Sequence, residues 1–136
     1  MQRNAGARRH DRGAAALELA IVLPVLVSLT FGIVDFARMF NAEIQVSQAA
    51  REGVRLASLV TTVNTSAFTV TDVTNRARLA APPGFGIATP VTVALVQACP
   101  NTVSTPPVAV VRVTYLFDGV IWDRPLSEQA VMRCVG

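Results

Sequence analysis

Between Ala14 and Val34 the chain runs for 21 residues with one charge, Glu18. Coiled as an α-helix, that run is about 32 Å long, enough to cross a hydrocarbon layer about 30 Å thick. A chain of 136 residues built around such a segment has room for one small domain besides it. The flanks set its direction. Arg3, Arg8, Arg9 and Arg12 against Asp11 give residues 1–13 a net charge of +3, equal to that of the whole chain, so everything after Gly13 sums to zero. The isoelectric point of about 9.7 is therefore a topology signal and not a nucleic-acid surface. By the positive-inside rule the N-terminus stays in the cytoplasm and the C-terminal part crosses the membrane.

The placement of Glu18 is costly. An acid at the centre of a spanning helix costs about 2.5 to 3.5 kcal/mol on insertion scales, less toward an end, and an intramembrane ionisable group calls for a partner. Cleavage after Gly13 would supply one. The new α-amino group of Ala14 has an ordinary pKa of about 7.7 to 8.0 and could pair with Glu18 of its own chain or of a neighbour. The plainer reading is an acid that snorkels to the head groups. Residues 1–13 are expected to be a disordered, removable leader. Two readings compete with this. A secretory signal peptide is opposed by Glu18 and by an apolar run longer than the usual ~7 to 15 residues; an uncleaved signal anchor is the other.

Gly13, then AAALE, then a long apolar helix resembles the processing site of type IV pilin-like proteins. RGAAALELAIVLPVLVSLTFGIVDFARMF (Arg12 to Phe40), QAAREGVRLAS (Gln48 to Ser58) and AVMR (Ala130 to Arg133) resemble successive blocks of TadE-like proteins, pseudopilins of tight-adherence (Tad, Flp) pilus systems. The resemblance implies a structural protein, a minor pilin or pseudopilin cut by a prepilin peptidase between Gly13 and Ala14. Its partners would be the lipid bilayer, other pseudopilins and Tad pilus assembly components. Glu18 would serve assembly. Pro24, which frees the Ala20 carbonyl and is expected to kink the helix, would let it stretch. The protein would sit in the inner (cytoplasmic) membrane or in the pilus it helps to build.

The helical pattern continues past the membrane. Phe36, Phe40, Ile44, Ser47, Ala50, Val54 and Ala57 form a stripe at helical period, expected to pack on the protein's own sheet, with neighbouring helices as the alternative. Ala49, Gly53 and Ala57 form a small-xxx-small row that permits close helix approach. Asp35 with Arg38 and Glu52 with Arg55 are i,i+3 pairs. After a polar loop at Thr61 to Ser66, Thr71 or Asp72 is expected to cap a second helix, DVTNRARLAA, which ends at the break Pro82 to Gly86. Three β-rich runs follow: Val91 to Val96, Val108 to Phe117 and Ser127 to Val135. In the second, Ala109, Val111, Val113, Tyr115 and Phe117 share one face. In the third, Ala130, Met132 and Cys134 do. ACPNTVSTPP reads as a loop between the first two, Asp118-Gly119 as a turn, and Trp122 as the anchor of the connection after it. Cys99 and Cys134 make no C-x-x-C; in an extracytoplasmic domain they read as one disulfide, with two buried thiols as the alternative.

The expected fold is α+β: residues 1–13 a cytoplasmic leader, 14–40 a transmembrane helix, and 41–136 an extracytoplasmic domain with a short helix and about three antiparallel strands. The catalytic signals are poor. The only histidine, His10, lies in the leader, which removes the usual metal spacings and a Ser–His pair. Gly84-Phe85-Gly86 is too short for a phosphate loop. Asp72, Asp118, Asp123 and Glu128 are scattered near turns and strand ends. The expectation is no enzyme, no cofactor, no metal, no nucleic acid and no small-molecule substrate. The rival in another class is an anchored envelope binding domain that does not polymerise.

Overall fold

The computed structural model describes residues 7–59, 69–84, 87, 89–99 and 106–134, with side chains from residue 13 onward. The expected Thr61–Ser66 loop, the first six leader residues, Phe85 and Gly86 of the break, the centre of ACPNTVSTPP and Val135 lie outside these residues. The elements are α1 (Ala7–Ser58), α2 (Val70–Ala80), β1 (Thr92–Gln97), β2 (Val108–Phe117) and β3 (Arg124–Arg133). The architecture is α+β: a long apolar helix, a short one, and an antiparallel sheet in the order β1-β2-β3.

At 52 residues α1 is about 78 Å long. It starts at Ala7, so residues 7–13, expected to be disordered, are helical. Once a long apolar helix exists, adding good helix formers such as Ala and Arg to its end needs no new nucleus. The helix also runs on through Pro24. Farther along, Ser28 Oγ donates to the Pro24 carbonyl (2.7 Å) and Thr30 Oγ1 to that of Leu26 (2.8 Å), so both hydroxyls are satisfied within the helix.

The α1 stripe is corrected. Ala50, Val54 and Ala57 are buried and Ser47 is half-buried, but Phe36, Phe40 and Ile44 are exposed. The buried face instead follows Asp35, Ala42, Val46, Ala49, Gly53 and Ala57, with Met39 packed beside it. The large apolar residues drew the stripe roughly one position, about 100°, off the true face. Small residues line that face because the sheet and α2 approach the backbone closely. A Cβ at Gly53 would lie 3.1 Å from Val111 Cγ1 and 3.2 Å from Ala77 Cβ. The small-residue row is thus used inside the protein.

Thr69, not Thr71 or Asp72, caps α2. Thr69 Oγ1 accepts from the Asp72 amide (3.3 Å), and the Asp72 carboxylate accepts from the Thr69 amide (2.7 Å) and hydroxyl (2.8 Å). This is a capping box with Asp in the usual Glu/Gln position. The Thr69 amide and hydroxyl hold the Asp72 carboxyl below its ordinary pKa. Glu52 pairs with Arg76 of α2 (3.1 Å) rather than Arg55, a tie between helices that sequence spacing does not reveal. Arg78 Nε donates to the Val91 carbonyl (3.4 Å), fixing the entry to β1.

The sheet lays the face Ala109, Val111, Val113, Tyr115, Phe117 on the helices, all five buried. β2 has the expected bounds, and β1 is shifted by one residue. β3 begins at Arg124, three residues before the expected Ser127, and so includes Pro125. Proline cannot donate to a ladder, but β3 is an edge strand with a free side. Ala130 of β3 and Cys134, just past its end, are half-buried and pack on the core. Met132 stays partly exposed, its sulfur accepting from Ser58 Oγ at 3.3 Å.

Candidate functional site

The helix is the site, and its two halves differ. Residues 13–34 are exposed on every side except for the half-buried Gly32. The stretch is long and apolar enough to span a membrane, and none of its most apolar window is buried by the rest of the chain. With the small head that follows, the architecture is that of a single-pass membrane protein.

At the start of this half stands Gly13, within helical backbone. A Cβ there would meet nothing within 4 Å. Glycine in a helix interior costs about 0.8 to 1 kcal/mol relative to alanine, and no contact among the described residues offsets that. Five positions on, Glu18 is exposed and forms no ion pair among the described residues. The structure does not bring Gly13, Glu18 and Pro24 into contact with the head; they lie in sequence along the free half.

The junction between the halves holds a residue whose role the sequence did not reveal. Asp35, the acid of the i,i+3 pair with Arg38, is buried. One carboxylate oxygen accepts from the Val120 amide at 3.0 Å and the other from the Ile121 amide at 3.1 Å. Arg38 Nη1 is 3.8 Å from the carboxylate and stacks on the Phe117 ring at 5.8 Å from its centroid. Asp35 therefore clamps the β2–β3 connection to the helix. Trp122, expected to anchor that connection, is half exposed; the anchoring is done by the carboxylate and by Gly119. A Cβ at Gly119 would collide with the Trp122 carbonyl and lie 2.8 Å from Asp35 Oδ2. The Asp118-Gly119 signal in the sequence pointed to the turn, but not to Asp35, which lies 85 residues before Val120.

At the opposite end of the sheet Cys99 and Cys134 are joined as a disulfide, Cα atoms 5.7 Å apart. Cys99 follows β1 and Cys134 follows β3, so the bond links the two edge strands past the start of β2, where the Cys134 amide donates to the Pro107 carbonyl (3.0 Å). Among the described residues no group of acids, histidines or cysteines could hold a metal ion. Asp72 is spent in the cap, and Asp118 and Asp123 are exposed on the connection. Glu128 faces a shallow surface depression beside Phe40, Ile44 and Arg51.

A family model described as TadE-like protein matches residues 13–55. The chain therefore carries a TadE-like segment that opens at Gly13, spans the free half of α1 and ends in its packed half. That match fits a single-pass membrane protein associated with a Tad pilus. The C-terminal AVMR block lies outside the match. Neither a curated protein nor a solved structure matches the chain significantly.

Proposed function

We propose that the protein is a minor pilin or pseudopilin with a structural role in building a Tad-type adhesive pilus. It is inserted in the inner membrane with residues 1–13 in the cytoplasm and its α+β head outside, and cut by a prepilin peptidase between Gly13 and Ala14. The observation that carries this reading is the free half of α1. It pairs a TadE-like segment with a helical glycine that no packing requires and an acid five residues later that no described group neutralises. The glycine is unfavourable inside a helix, and the acid is unfavourable in a segment that crosses lipid. Both make sense if Gly13 presents an unobstructed peptide to a protease and Glu18 then meets the ammonium group of a new N-terminus, its own or that of another pilin. Pro24 gives the same half a point where the helix can yield during assembly, and the Cys99–Cys134 bond staples a head too small for a large core.

The test uses two substitutions that the fold tolerates. Gly13→Val adds a side chain in open space, so it should leave the head intact while blocking cleavage. Mass spectrometry should find the precursor, heavier by 13 residues, still in the membrane. A normally trimmed Gly13→Val protein would remove the processing site from the account. Glu18→Leu should insert and be cut, yet fail to cross-link with partner pilins or support pili. Losing one partner of a partly buried pair costs several kcal/mol, against about 1 or less at a surface. Normal pilus numbers in that variant would leave Glu18 a snorkelling bystander and favour an anchored binding domain that does not polymerise.

A further inference from the structure

The β2–β3 connection exposes three consecutive apolar residues, Val120, Ile121 and Trp122, at 68%, 52% and 51%. An uninterrupted apolar tip is unfavourable in water, and these side chains take no part in the core. Their position is set by the clamp. Asp35 is the residue immediately after the apolar run Ala14–Val34 and the first charge since Glu18. With the Val120 and Ile121 amides 3.0 and 3.1 Å from its carboxylate, the tip is held at the level where the spanning segment ends. The close seat of Gly119 leaves the turn little freedom to move away. Phe36, on the next helical position, is 57% exposed, while Asp118 and Asp123 bracket the tip with exposed charges. An apolar tip carrying a tryptophan, edged by charge and level with the end of a membrane span, has the composition favoured at the lipid–water boundary.

We propose that Val120–Trp122 is an interfacial anchor. It seats in the head-group and upper acyl region beside the protein's own spanning helix, giving the head a second contact with the bilayer and fixing its tilt. The occupant of this surface is lipid, because the tip is continuous in depth with the exposed apolar half of α1. The inference rests on that half spanning a bilayer, but not on which side the head lies.

Trp122 is the only tryptophan in the chain, so its fluorescence reports the tip without a label. The full chain would be reconstituted into phosphatidylethanolamine–phosphatidylglycerol vesicles, with and without lipids brominated on the upper acyl carbons, and washed with alkaline carbonate. The expected result is membrane-retained protein with blue-shifted emission, strongly quenched by the brominated lipid and shielded from aqueous iodide. The double variant Val120→Ser, Ile121→Ser keeps both amides for Asp35 and adds no charge beside it; it should stay folded, since both side chains are exposed, and lose most of the lipid quenching, whereas unchanged quenching would overturn the anchor. Retained protein whose Trp122 is reached by iodide and not by lipid would overturn the anchor while leaving the span intact. Emission shielded from both quenchers would overturn it too, by showing that a second copy covers the tip. Release of the chain by carbonate would overturn the span and the anchor together.

Discussion

Residues 14–34 and 35–58 are consecutive turns of one α-helix, yet they are built for different solvents. The first half carries large side chains, including Leu17, Ile21, Leu23, Leu26, Phe31 and Ile33, and leaves them exposed. The second buries mostly small ones: Ala42, Ala49, Ala50, Gly53 and Ala57. Hydrophobicity alone would rank the first half as the core. Size separates them, because lipid fits around a bulky helix, whereas a sheet and a second helix can reach a backbone only where side chains are short. Asp35 marks the change, with a buried carboxylate satisfied by two amides from a distant turn.

The sharpest way to break this contrast is to make the same truncation on both sides. Phe117 is fully buried against the packed half, and Phe117→Ala should cost about 3 to 5 kcal/mol in urea unfolding of the detergent-solubilised protein. Phe31→Ala, in the free half, should leave the head's stability within about 0.5 kcal/mol. Equal effects would mean that the two halves share one packing environment.

The junction comes next. Asp35→Ala leaves the Val120 and Ile121 amides without their acceptor, and hydrogen bonds to charged groups are worth about 1.5 to 3 kcal/mol each. Removing the buried charge also removes its desolvation cost, so the loss falls below the sum of the two bonds, at about 2 to 4 kcal/mol, with hydrogen exchange quickened first at those two amides. Unchanged protection there would dismiss the clamp.

Glycine gives a smaller contrast. Gly53→Ala forces a Cβ between Val111 and Ala77 and should cost about 1 to 3 kcal/mol as overpacking. Gly32→Ala meets nothing within 4 Å and should be neutral or slightly stabilising. A Gly53→Ala protein as stable as the parent would show that α2 and the sheet can give way.

The smallest effect is at the α2 cap, remote from the membrane. The Asp72 carboxyl is held below its ordinary pKa by the Thr69 amide and hydroxyl. Its contribution is present above the ordinary carboxylate value of about 3.9 and is lost as pH falls through the lowered one. Thr69→Ala should slightly lower the melting temperature at neutral pH. Its difference from the parent should shrink below about pH 4; a constant difference would assign the loss to packing instead.

The legible part of the fold was the part with a strong period. β2 was correct to the residue because five alternating side chains, Ala109 to Phe117, admit one register. The apolar span, the second helix and the three-stranded sheet were visible for the same reason. The errors occur where a local rule competed with a distant partner. Pro125 looks like a break in sequence and is tolerated only because β3 is an edge. Glu52 has Arg55 within reach on its own helix, but Arg76 lies across from it. Trp122 is the expected anchor of its connection, yet it is the backbone of its neighbours Val120 and Ile121 that is held. Of the candidate site, Gly13, Glu18 and Pro24 could be found by type and spacing, since they lie along one helix. Asp35 could not, because nothing local distinguishes it from a surface acid.

The sequence by itself determined that a 21-residue apolar run starts just after a basic N-terminal stretch that ends in a glycine, and that one acid interrupts it. Those features are local, and the cost of burying a charge or a bare peptide group in lipid makes them readable without a fold. Tertiary structure alone decided which face of α1 the head covers, and hence that Phe36, Phe40 and Ile44 stay free while Gly53 is enclosed. It also decided that residues 120 and 121 meet residue 35, bringing an apolar tip level with the end of the span. Those outcomes depend on how the sheet and α2 close over the helix, and the one-dimensional period of a helix gives the spacing of a face but not the direction in which its partner lies.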